Sequence, residues 1–222
     1  MSGNQFVIPV GQASLGGELE LAQEAPGLVV FAHGSGSSRH SPRNQYVARM
    51  LRKAGLGTLL FDLLTAEEER AEARTGQLRF NIPLLSERLV GATRWALRQV
   101  RRQDLRVGYF GASTGAAAAL VAAAELGSSI RAVVSRGGRP DLAGDALERV
   151  NSPTLLIVGG EDREVITLNR SAYERLGCPK AIEIIAGATH LFEEPGALEE
   201  VAEKAAAWFA KHLSEQAGSQ ES

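Results

Sequence analysis

The sequence predicts an α/β fold on one mainly parallel, eight-stranded sheet with helices on both faces. Three observations carry the prediction. Short apolar runs alternate with helical patterns from residue 27 onward, Gly-rich turns follow several of those runs, and an alternating hairpin precedes them.

The hairpin is "QFVIPVGQASLGGELELAQEAPG", in which apolar and polar residues alternate around Gly16 and Gly17. "GLVVFAHG" (27–34) then reads as a buried strand, and "PRNQYVARMLRKAG" (42–55) as a helix stopped by Gly55. "GTLLFDLL" (57–64) is the next strand. In "IPLLSERLVGATRWALRQV" (82–100), Leu85, Leu89, Ala92 and Ala96 recur at helical spacing. "DLRVGYFG" (104–111) is a compact apolar strand, followed by an alanine-rich helix. "IRAVVSRGG" (130–138), "PTLLIVGG" (153–160) and "KAIEIIAG" (180–187) complete the eight strands, with helices expected at 167–176 and 198–213.

Two connections are informative. "TAEEERAEARTGQLRFN" (65–81) is charged and lacks an apolar stripe, so it reads as a solvated loop with a frayed helix or, alternatively, as an active-site flap. Segment 139–152 is too short to hold a separate helical cap domain. Residues 1–213 are expected to form a single domain, with a polar, disordered tail at 214–222.

Composition narrows the partners. A net charge of −2 gives no reason to expect nucleic acid or an anionic membrane. The start, "MSGNQFVIPVGQ", has no basic region leading into an apolar one, and no apolar run approaches membrane-spanning length. The single cysteine, Cys178, excludes an internal disulfide and sits beside Pro179 as an incidental thiol. A cytoplasmic location is expected.

Chemistry concentrates where parallel strands end, because ligands in open α/β sheets bind beyond the carboxyl ends of the strands. In "YFGASTGAAAAL", Ser113 lies on the turn from strand to helix, flanked at minus two and plus two by Gly111 and Gly115. A Ser at a helix start is a common N-cap. The G-x-S-x-G pattern is also that of a nucleophile elbow. It arises by chance in roughly one chain in five to ten of this length, so other residues must decide. They do: Asp162 in "GGEDREV" and His190 in "GATHLF" follow later strands in the order serine, acid, histidine. His190 is the base able to take the Ser113 proton near neutral pH, and Asp162 would fix its tautomer. Asp141 and Glu161 are the competing acids.

The Gly-rich turn "HGSGSSRHS" (33–41) can aim backbone N–H groups at a developing oxyanion. The assigned donors are the amides of Ser35 and Thr114, aided by the helix N-terminus. The turn lacks the Lys of a phosphate-binding P-loop. His33 is expected to pin the turn, while Arg39 and His40 either face solvent or line the mouth and bind a substrate carboxylate. No Cys/His cluster suggests a metal, and no cofactor is expected.

On "GASTG", "GGED" and "GATH", residues 27 to 213 resemble the α/β-hydrolase superfamily. The small size, missing cap and "FAHGSGSSRHSPRN" loop resemble its dienelactone-hydrolase-like members. Dienelactone hydrolase carries Cys in the elbow where this chain has Ser113, so the resemblance implies ester hydrolysis in general rather than the cyclic lactone in particular. The expected activity is a serine hydrolase acting through an acyl-enzyme on a small-molecule short-chain ester or lactone. A thioesterase, a triad-based lyase or perhydrolase, and a non-catalytic binding protein are the alternatives.

Overall fold

A computed structural model describes residues 4–34, 36–102 and 104–214. Its eight strands are β1 (Asn4–Val10), β2 (Ala13–Glu20), β3 (Gly27–Ala32), β4 (Gly57–Phe61), β5 (Arg106–Ala112), β6 (Ile130–Arg136), β7 (Thr154–Gly159) and β8 (Lys180–Ile185). They lie in the order β1-β2-β4-β3-β5-β6-β7-β8. The hairpin pairs antiparallel and joins β4 antiparallel, and every later pairing is parallel. The order reverses between β3 and β5, where ligand crevices form in such sheets.

Strands β3, β4 and β7 are buried along their whole length, as expected where helices cover both faces. Helices α1 (Pro42–Lys53) and α6 (Ala197–Leu213) cover one face through Val47, Leu51, Val201, Ala205 and Phe209. On the other face pack α3 (Ile82–Val100), α4 (Thr114–Leu126) and α5 (Arg163–Arg175). Residues Ala116–Ala119 of α4 are fully buried, and their small side chains let the helix settle close against the sheet. Burying each larger side chain of these faces, such as Leu89 or Phe209, contributes about 1.5–3 kcal/mol.

Two differences from the sequence reading have physical causes. The strand expected at 57–64 ends at Phe61. There Asp62 accepts the Arg39 amide at 2.8 Å, and the Leu63 amide donates to the buried His33 ring at 2.9 Å, which turns the chain off the sheet. Segment 65–81 forms a helix, α2 (Ala66–Thr75), and a 3-10 turn, Leu78–Phe80, rather than a loop. Thr65 and Glu68 make a reciprocal capping box at its start. Arg88 of α3 pairs with Glu68 at 3.0 Å, and the buried Glu72 carboxylate takes both Arg79 and the Leu78 amide. These polar bonds hold α2 where no apolar stripe would.

Segment 139–152 winds as two short 3-10 turns within Pro140–Arg149, kinked at Gly144, and among the described residues no separate cap covers the sheet. Among the described residues no helix is long and apolar enough to cross a membrane. The tail expected to be disordered lies, from residue 215, outside the described residues.

Candidate active site

Ser113 occupies a strained backbone position at the end of β5. Its φ of 50° is one of three positive values at non-glycine residues among the described residues, and such a conformation costs about 1–3 kcal/mol. The residue stands at the N-cap of α4 yet makes no side-chain capping bond, so the hydroxyl is not there to satisfy the helix. Its flanking glycines are required by space. A Cβ on Gly111 would come within 2.5 Å of the Ala116 Cα, and one on Gly115 would drive into the carbonyl oxygens of Ala32 and His33. Gly115→Ala should therefore destabilise the fold by about 1–3 kcal/mol, although Gly→Ala inside a helix ordinarily stabilises by up to about 1 kcal/mol. A chemical-denaturation midpoint at or above wild type would contradict this close approach.

The histidine and acid meet. His190 Nδ1 lies 2.6 Å from Asp162 Oδ2. A carboxylate only accepts, so Nδ1 donates, and the neutral ring keeps Nε2 as its acceptor. Residues 136–139 run between this pair and the serine. The Ser113 amide donates to the Arg136 carbonyl at 3.3 Å, the Arg139 amide donates to the Ser113 carbonyl at 3.1 Å, and a Cβ on Gly137 would sit 3.6 Å from His190 Cε1. The competing acid is engaged elsewhere: Asp141 takes the Arg139 guanidinium in a fork, at 2.9 and 2.7 Å.

A cavity of about 470 Å³ opens against Gly34 and Thr114, which adjoin Ser113. Leu63, Leu64 and Leu85 give it an apolar wall, and Glu72 and Ala73 of α2 close one flank. The segment 65–81, expected as a loop or a flap, thus contributes to the site. Thr114 is the first residue of α4, where backbone N–H groups point out of the helix end. Ser35, the other assigned oxyanion donor, lies outside the described residues.

His40 lines this cavity, but Arg39 does not. Of the two placements open to Arg39, solvent or the mouth, the structure shows neither plainly: its guanidinium pairs with Asp62 and packs over Gly16, whose missing side chain makes the room. Sequence reasoning missed this pair because its members lie 23 positions apart in different loops. Among the described residues no three His, Cys, Asp or Glu side chains group as metal ligands. Cys178 is buried, its thiol pushed up by burial, and lies 3.7 Å from Thr154 Oγ1 at the opposite end of the sheet.

His33 secures the loop between Ser113 and the cavity. Nε2 accepts the Leu63 amide, so Nδ1 carries the proton and donates to the Gly34 carbonyl at 3.0 Å. Burial holds this imidazole below its ordinary pKa, against the opposing pull of the Gly34 bond and Asp62. The folded protein thus resists a proton that the unfolded chain takes up near pH 6.5. Stability from His33 is present above that pH and is lost as pH falls. Thermal midpoints followed from pH 7.5 down to 5 should drop more steeply in wild type than in His33→Gln, and equal slopes would contradict the neutral ring.

Residues 25–217 match the family model described as an alpha/beta hydrolase domain. The structure of a dienelactone hydrolase from Anabaena variabilis is 56% identical, with a TM-score of 0.91, over 96% of this chain and all of that one. Est1E from Butyrivibrio proteoclasticus shares the fold at 16% identity and a TM-score of 0.76, over 96% of this chain and 99% of that one. A Mycobacterium tuberculosis protein provisionally named a phosphoribosyl transferase is 55% identical over 206 residues, which are 93% of this chain and 46% of that protein. The chain thus spans about half the length of the curated relatives it matches.

Proposed function

The chain belongs to the alpha/beta hydrolase family as a dienelactone-hydrolase-like member, and on that premise we propose that it is a serine hydrolase of short-chain carboxylic esters. The observation that carries the proposal is the 2.6 Å His190–Asp162 bond, joined through residues 136–139 to a serine held in a strained turn without a capping role. Ser113 Oγ attacks the ester carbonyl while His190 Nε2 takes its proton. Asp162 holds the ring in the productive tautomer and stabilises the imidazolium. The Thr114 amide and, from the sequence, that of Ser35 receive the oxyanion. His190 then returns the proton to the leaving alcohol, and water cleaves the acyl-enzyme by the same steps in reverse.

The transferase name of the mycobacterial relatives is not carried over. It describes proteins of which this chain matches 46%, so the activity named for the whole protein is not assigned to this part of it. The acyl group is assigned to the cavity beside Thr114. Each added CH₂ buried there is worth about 0.8 kcal/mol, or roughly fourfold in kcat/KM. That gain should fade soon after butyryl, because Glu69 and Arg79 line the same cavity as the apolar Leu63, Leu64 and Leu85.

The test is a panel of p-nitrophenyl esters, lactones and acyl-thioesters together with a fluorophosphonate probe. One adduct per chain, on Ser113, and an optimum at acetyl to butyryl esters are expected. No adduct and no turnover on any acyl donor would overturn the reading. Fastest turnover of thioesters would change the substrate class but not the residues, and acyl transfer to peroxide rather than water would indicate a perhydrolase.

A further inference from the structure

A cavity of about 290 Å³ opens at the end of the sheet opposite Ser113. It lies where parallel strands begin: Arg106 opens β5, Arg131 is the second residue of β6, and Asn151 lies just before β7. The last turn of α6 adds Lys211 and His212. The seven residues of β5 run between this cavity and Ser113, a separation of roughly 20 Å. Among the described residues no Asp or Glu lines the cavity, and Arg106, Arg131 and Lys211 make no ion pair.

Arg131 and Lys211 are exposed, so an ion from solvent reaches both. Arg106 is half-buried and gives one nitrogen to the Ser214 carbonyl, which leaves the rest of its fork of donors. His212 packs against Trp208 with ring centroids 4.6 Å apart, and its buried Nε2 has no hydrogen-bond partner. The floor beneath these groups is fixed. Ser152 Oγ donates to the Ile130 carbonyl at 2.7 Å, and Trp208 Nε1 to the Pro153 carbonyl at 3.3 Å. Helices α4 and α6 both end here, and cations near a helix C-terminus answer its partial negative charge. Two such ends supply roughly one negative charge between them, against three cations. The balance is positive, and a cleft lined by one sign of charge concentrates ions of the other.

We propose that this cavity, lined by Arg106, Arg131, Lys211 and His212, is a binding site for the phosphate group of a small ligand. The two guanidinium groups take phosphate oxygens through paired N–H bonds, and the Lys211 ammonium acts as a point charge. His212 Nε2 donates a further bond in the tautomer that places the ring proton there. A phosphate dianion answers three cations more fully than a carboxylate does. The cavity leaves room for a phosphate monoester of a few carbons. The site is separate from the serine, and its binding does not depend on the hydrolase reading.

The test titrates the full chain calorimetrically, at constant ionic strength, with inorganic phosphate, glycerol 3-phosphate and acetate. Both phosphates should bind saturably, once per chain, and about tenfold or more tighter than acetate. Arg131→Gln and Lys211→Gln, both at exposed positions, should each weaken phosphate by about tenfold, and the double variant should abolish saturation. Tighter binding of glycerol 3-phosphate than of inorganic phosphate identifies a phosphorylated ligand, and the reverse order the free ion. Arg43→Gln, in the cavity beside Thr114, controls for location and should leave phosphate affinity unchanged. No saturation by either phosphate up to about 10 mM would overturn the site. So would acetate bound as tightly as phosphate, unchanged affinity in the double variant, or binding lost in Arg43→Gln alone. Ser113→Ala should bind phosphate as wild type does, so phosphate binding by a chain that hydrolyses no ester would sustain the site and refute the hydrolase.

Discussion

Ser113→Ala is expected to abolish ester hydrolysis, lowering kcat by about 10⁶ and leaving the 10³–10⁴-fold residual acceleration that binding and an oxyanion hole alone provide. The fold should be indifferent to the change, because the hydroxyl caps no backbone group of α4. A second substitution separates function from architecture. Ser113 holds a φ of 50°, which alanine also finds strained and glycine does not. Ser113→Gly should therefore be as inactive as Ser113→Ala but more stable than wild type by about 1 kcal/mol. An inactive yet stabilised protein is the signature of strain kept for chemistry. Hydrolysis retained in Ser113→Ala within tenfold of wild type would remove the nucleophile from the proposal, and loss of stability in Ser113→Gly would show that the side chain supports the fold.

The elements that place this serine are legible in the sequence because they rest on local pattern. Strands covered on both faces read as unbroken apolar runs, and the two glycines around Ser113 reflect contacts within a few residues or with the adjacent β3 end. Asp162 and His190 are legible for a topological reason: a parallel sheet delivers the loops after its strands to one edge, and both residues lie in such loops. Helix α2 escapes a reading based on apolar periodicity, because charges hold it in place. The Thr65-x-x-Glu68 spacing of its capping box is the signal that could have found it. Other features depend on contacts between distant residues. Nothing in the local sequence places Arg106, Arg131 and Lys211 around one cavity, and Arg39 looks free until Asp62 is folded against it. Pairing across the chain decides whether a charge is structural or available, and no local pattern encodes that pairing.

Asp162→Asn should lower kcat by roughly 10⁴, the cost of the same change in a serine-protease triad. Asparagine preserves the shape of the acid but can present its NH₂ to His190 Nδ1, which favours the tautomer with the proton on Nε2. That ring cannot accept the Ser113 proton. The 2.6 Å bond to Asp162 Oδ2 is the interaction at stake, and it is partly shielded from water. Asp141→Asn is the internal control, because Asp141 also follows a sheet strand and lies two residues from Arg139, whose amide holds the Ser113 carbonyl. Its carboxylate faces Arg139 in a half-exposed pair, and such pairs contribute about 0–1 kcal/mol. Asp141→Asn should consequently cost no more than a few-fold in kcat. The ranking is checked by steady-state kinetics on p-nitrophenyl acetate, with the burst of p-nitrophenol reporting acylation separately. In Asp162→Asn the burst rate itself should collapse, since acylation needs the same proton transfer. A preserved burst with slow turnover would place Asp162 in deacylation alone, and a larger loss in Asp141→Asn than in Asp162→Asn would move the acid to the end of β6.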